Sequence, residues 1–171
     1  MTLCIDIRCR PPHGQFLDYF NVMIAPEQRP RSFAAASMAL WFDEMRQAGI
    51  AQAVAAGGIN AGMRLGHRDI REIIAVCMRR EHVFVAPDVY LRWPGTQDWV
   101  DAINFQGEIG QGRFEDHFIF GTAYPYMDLV SYMSFFNALP IRDAAKQKIL
   151  RGNALRALRL DSQRYPDAWP T

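Results

Sequence analysis

The stretch His117-Phe118-Ile119-Phe120-Gly121-Thr122-Ala123-Tyr124-Pro125 decides how the rest of this chain is read. It opens as a short apolar run, rich in aromatic and β-branched side chains, and closes on a glycine and then a proline. An alternating surface strand would place a polar residue at every second position. A continuous apolar run between turn residues fits a strand buried on both faces of a parallel sheet. Residues 3–7 share that character and end in a charged, proline-rich loop. So do residues 50–56, set between Gly49 and Gly57-Gly58, and residues 83–90.

Helical patterns fill the intervals. Ser32 is expected to cap a helix carrying Met38, Trp41, Phe42 and Met45, stopped at Gly49. Ile70, Ile73, Ile74, Cys77 and Met78 fall on one helical stripe. Thr96 is placed to cap a helix with Trp99, Val100 and Ile103. Asp128 is placed to cap another that runs through Phe136 and ends by Pro140. A further helix is expected to run to Arg151 and stop at Gly152, after which Asn153 caps a last short one. Strands alternating with helices imply right-handed crossovers and a parallel sheet. In such sheets functional groups gather at the carboxyl ends of the strands.

Composition excludes several classes. The 171 residues allow one domain with a proper core. Nineteen basic residues against 18 acidic ones leave a formal charge of +1, which argues against a nucleic-acid partner. The basic bias that remains is Arg8 and Arg10 with Arg29 and Arg31. No apolar run approaches the ~18 residues of a membrane span. Cys4, Cys9 and Cys77 are odd in number and contain no CxxC pair, which fits a reducing compartment. With no basic, apolar leader at Met1-Thr2-Leu3-Cys4-Ile5-Asp6, the expected location is the cytoplasm.

Phe120-Gly121-Thr122-Ala123-Tyr124-Pro125, then Asp128-Leu129, then Ile149-Leu150-Arg151-Gly152-Asn153-Ala154 resembles the last strand and closing helices of the amidohydrolase-related family. That family comprises metal-dependent hydrolases and aromatic-acid decarboxylases on a TIM barrel. Its usual pattern at this place is Phe-Gly-Ser-Asp-Tyr-Pro. Ile5-Asp6-Ile7-Arg8-Cys9-Arg10-Pro11 is similar to the family's first strand, Asp-x-His-x-His-Pro. Residues 45–60 look like its second strand with the helix before it, and residues 83–90 with Pro94-Gly95 resemble its penultimate strand.

The resemblance implies one α/β domain over residues 1–171: parallel βα units like part of a (β/α)₈ barrel, about four of them, plus C-terminal helices. Residues 1–80 resemble the first barrel strands and residues 81–160 the last. A whole barrel takes ~250 residues, and at least ~200.

The departures concern the metal. Arg8 and Arg10 stand where the family has two ligand histidines, and Ala123 where it has an acid. A guanidinium stays protonated and offers donors only, so it cannot replace histidine on a cation. The expectation is therefore no metal and no other cofactor.

Arg8 and Arg10, two residues apart, should point the same way if the strand continues, and together suit a small carboxylate. The competing expectation is ion pairing with Asp6 or Asp88. His13 and His67 fall in loops at the same edge and, with Asp88, are the candidate proton carriers. Tyr90, Arg92 and Tyr124 are candidate lining residues. Cys9 should turn away from its neighbouring arginines into the interior. His82 and His117 precede their strands and belong to the opposite edge. Two functions stay open: a metal-independent hydrolase or carboxy-lyase acting on a small carboxylate, and a non-catalytic binding remnant. Open sheet edges and the apolar residues Tyr124, Tyr126, Met127, Tyr132, Met133, Phe135 and Phe136 suggest a homo-oligomer, most simply a dimer.

Overall fold

The computed structural model describes residues 3–53, 77, 83–86, 91, 96–105 and 113–164. Its first strand, β1 (Cys4–Asp6), is buried throughout and pairs in parallel with β2 (Ile50–Ala53). Cys4 faces Ile50, Ile5 faces Gln52 and Asp6 faces Ala53, with a register irregularity between the first two pairs. On the other side, the Ile7 amide donates to the Phe120 carbonyl (3.3 Å). Phe118 in turn forms a parallel bridge with Val85. The four apolar runs are thus linked in the order second, first, fourth, third, but among the described residues only β1 and β2 are strands: the third and fourth runs, expected as strands, meet in one isolated bridge. The parts of the second and third runs beyond Ala53 and Ala86 lie outside the described residues, as does the stripe from Ile70 to Met78 apart from Cys77, which is helical and buried.

Helices follow and flank this sheet: α1 (Gln15–Met23), α2 (Arg31–Ala34) and α3 (Met38–Gln47) before β2, and α4 (Thr96–Asn104) after it. α5 (Leu129–Ala138), α6 (Asp143–Gln147) and α7 (Asn153–Ala157) close the described chain. Asp128 caps α5 as expected, accepting from the Ser131 amide at 2.8 Å. Other helix ends differ from expectation. Ser32 lies inside α2, and the cap of α3 is Ser37, which accepts from the Leu40 amide. Thr96 is the first residue of α4 and turns its hydroxyl back to the Leu91 carbonyl. Gly152 does not stop the chain: Lys148–Gly152 forms one wide π-type turn that runs straight into α7. Within that turn the Ile149 carbonyl accepts from the Phe120 amide (3.1 Å) instead of closing an α-helical bond. Asn153 is helical and no cap. Its buried amide donates to the carbonyls of Glu115 and Phe118, both at 2.7 Å.

The core is aromatic. Trp99 meets Phe114 and Phe118 on one side, while Phe120 meets Tyr132 and Phe136 on another. Tyr124, Tyr132, Met133 and Phe136 are therefore interior, and among the residues counted toward an interface Tyr126 is the one that is exposed. His117 is buried at the amino edge, its Nδ1 2.8 Å from the Val83 carbonyl. Beneath it, Glu115 is buried and paired with Arg142 and Lys148.

Candidate functional site

β1 ends at Asp6, and residues 7 and 8 form a turn. The strand therefore does not carry Arg8 and Arg10 outward together, as the alternation of a continued strand required. Asp6 itself is fully buried and accepts three hydrogen bonds. They come from the Arg8 amide (2.8 Å), the Thr122 amide (3.2 Å) and the Thr122 hydroxyl (2.5 Å). One carboxylate thus ties the end of the first strand to the end of the fourth run. Bonds of this kind are about twice as strong as neutral ones, which explains why an acid is tolerated here.

The end of the fourth run passes against Arg8 at Gly121. A Cβ on Gly121 would lie 3.4 Å from both Cβ and Cγ of Arg8, so the glycine lets the arginine stem cross. Next comes Ala123, at φ 56°, a left-handed conformation that any residue but glycine holds at a cost. Its turn swings Tyr124 inward, where the Tyr124 amide donates to the Thr122 hydroxyl at 3.1 Å. Arg10 lies over the turn. Its Nη1 is 3.4 Å from the Tyr124 carbonyl, its guanidinium sits 5.5 Å from the Phe20 ring centre, and 9% of the residue is exposed.

The Tyr124 phenol reaches the deepest part of the cluster. It donates to Glu44 on α3 at 2.7 Å and makes a second, close contact with the Ser32 hydroxyl. The other Glu44 oxygen accepts from the Ser32 amide (3.2 Å). Burial, with the Glu44 charge beside it, pushes the phenol's pKa far up, so it stays protonated. Cys9 also turns inward, as expected. Burial first, and then the Asp6 charge, raise its thiol well above the ordinary value, outweighing the neighbouring Arg10. It is no nucleophile at neutral pH.

Of the residues expected at the site, the structure brings Arg8, Arg10 and Tyr124 to one strand end. His13 is exposed in the loop before α1. His67, Asp88, Tyr90 and Arg92 lie outside the described residues. Asp6, Ser32, Glu44 and Thr122 were not expected to build the site. Among the described residues, no group of three or more His, Cys, Asp or Glu is placed to hold a metal ion. None of the described helices is long and apolar enough to cross a membrane.

A parallel sheet flanked by helices, with a buried polar cluster at its strand ends, makes this an α/β protein. Its fold is shared with a solved, uncharacterized TIM-barrel protein from Bordetella bronchiseptica (TM-score 0.72, 22% identity). The match covers 92% of this chain and 98% of that one, so the two are close in length. No protein-family model and no curated protein matches the sequence.

Proposed function

We propose that the chain is an amidohydrolase-like protein, built on part of a barrel, that binds a small carboxylate at the strand-end edge. The observation that carries this reading is the Arg10 guanidinium held beside the Tyr124 carbonyl, at the same edge where the stem of Arg8 crosses Gly121. A guanidinium above a buried polar floor recognises an anion by geometry as well as by charge, and the Arg8 side chain is proposed to join it. Tyr124 belongs to that floor, and the sequence offers Tyr90 and Arg92 as further lining candidates. Proton transfer, in a hydrolase or carboxy-lyase working without a metal, falls to His13, His67 or Asp88.

A second reading, a non-catalytic binding protein, draws on a different observation. The Asp6 carboxylate and the Tyr124 phenol are both taken up by partners inside the protein. Groups so engaged hold a fold together and are poorly placed to exchange protons with a substrate. Under either reading the protein works as a homo-oligomer in the cytoplasm.

Calorimetric titration with a panel of small carboxylates, together with turnover of esters, lactones and carboxylic acids, tests the proposal. Saturable binding that falls ten- to hundredfold in Arg8→Ala and Arg10→Ala supports the site, since a charge-assisted hydrogen bond is worth about 1.5–3 kcal/mol. Binding unchanged in both variants refutes it. Turnover separates the two readings.

A further inference from the structure

A carboxylate has to reach Arg10, and Arg10 is buried. Among the described residues, what lies over its guanidinium is Phe20 of α1. The segment 14–29, comprising α1 and the 3-10 turn Pro26–Gln28, has an unusual way of holding on. Its hydrogen bonds close on itself. The amides of Leu17 and Asp18 donate to the Gly14 carbonyl, that of Gln28 to Ala25, and that of Arg29 to Pro26. The Arg29 side chain folds back onto the carbonyls of Ile24 (2.9 Å) and Asn21. No ion pair joins residues 15–29 to the rest of the described protein.

What binds the segment down is apolar. Phe20 and Ile24 are buried, and Phe20 meets Phe33 (5.9 Å) and Tyr126 (5.0 Å) edge to face. Against closure stands Asn21, whose Oδ1 is buried without a partner. The ends are built to bend. Gly14 sits at φ 52° with open space where a Cβ would be, and α1 has no side-chain cap there. At the other end, α2 begins at Arg31 and is fixed to α3 through Ser32 on Glu44 and Arg31 on Asp43. Among the described residues this body is hydrogen-bonded only within itself. It is seated by Phe20 and Ile24, with Phe16, Leu17 and Tyr19 packed more shallowly, so lifting it costs apolar contacts and the Arg10–Phe20 contact but no hydrogen bond to its neighbours.

Resting on the carboxylate reading, we propose that residues 14–29 are a hinged cover, which lifts to admit a small carboxylate to Arg10 and closes over it. The cover explains how a desolvated arginine serves as a binding group. Water is shut out once the anion is in place, and the charge pair gains from that exclusion.

Native-state hydrogen exchange on the whole chain, followed by peptide mass spectrometry in low urea, tests this. The α1 amides should exchange through a local opening, faster than those of α5 and insensitive to urea, while α5 opens only with global unfolding. Phe20→Ala should speed α1 exchange by roughly tenfold or more, because truncating a buried phenyl costs well over the 1.4 kcal/mol that one decade represents. Asn21→Leu, which removes the unpartnered oxygen, should slow it and leave α5 unchanged. Saturating succinate should slow α1 exchange in proportion to its occupancy.

Exchange of α1 with the same free energy and urea dependence as α5 overturns the cover, even if succinate binds. Local opening of α1 with no succinate binding leaves the cover standing and removes the carboxylate reading instead.

Discussion

Replacing Asp6 should cost this protein a large share of its stability. Asp6 accepts three hydrogen bonds, two of them from Thr122 at a sequence distance of 116 residues. Asp6→Ala removes all three and leaves the buried Thr122 amide without its acceptor. A hydrogen bond to a charged group contributes about 1.5–3 kcal/mol, and an orphaned buried donor adds about 1–3. Some of that is recovered when water enters or the turn relaxes, so the expected loss is about 3–5 kcal/mol. For a chain of this length that is a fall in Tm of roughly 6–20 °C. Asp6→Asn is milder and more diagnostic. Its oxygen can still accept from the two amides, but its NH₂ group must face the Thr122 hydroxyl, which already accepts from the Tyr124 amide. The hydroxyl proton is then left over, at about 1–2 kcal/mol. Urea unfolding followed by tryptophan fluorescence gives both values. A loss below 1 kcal/mol for Asp6→Ala would show that the strand-end cluster does not hold the sheet together.

Stability should decline at alkaline pH. Burial holds the thiols of Cys4 and Cys9 well above their ordinary value and that of Cys77 up to about 11. Burial alone would lower the Lys148 pKa, but hydrogen bonds to Asp116 and Glu115 raise it. All four folded-state values exceed the unfolded ones, so the unfolded chain loses protons first and stability falls as pH rises from about 8.5. A Tm that stays constant from pH 7 to 10.5 contradicts this. Elemental analysis should find no stoichiometric zinc or manganese, because arginines and an alanine occupy the positions where the resembled family binds its metal. About one metal per chain, lost on mutating a strand-end residue, would reverse that reading. Light scattering at micromolar concentration should give at least a dimeric mass, and a monomer that persists on concentration would refute the assembly.

What the sequence made legible was local. The apolar runs bounded by glycine and proline mark buried, parallel-paired segments, because burial needs only side-chain type; the first two are strands and the other two meet in a single bridge. Asp128 was readable as a cap for a similar reason: its acceptor acts three residues away. The helix α1 was not readable. It follows Pro11-Pro12-His13-Gly14, has glycine at its cap and is nine residues long, so nothing in its pattern outweighed a loop. Ser32 carried a cap's chemistry but spends its hydroxyl on Tyr124, while its backbone amide donates to Glu44. Glu44 reads as the solvent face of a helix, and only the arrival of Tyr124 from 80 residues away makes it interior. The relation of Arg8 to Arg10 failed for a different reason. Alternation holds along a strand, and this strand stops at Asp6 because its carboxylate caps the turn that follows.

Arg8 and Arg10 are proposed to receive a carboxylate together. Following the guanidinium Nε–H signals of ¹⁵N-labelled protein by NMR during a succinate titration tests it most directly. The Arg8 and Arg10 signals should shift together along one saturating curve, while those of Arg31 and Arg142, elsewhere in the protein, stay in place. Signals from Arg8 and Arg10 that remain still, or shifts confined to other arginines, would contradict it.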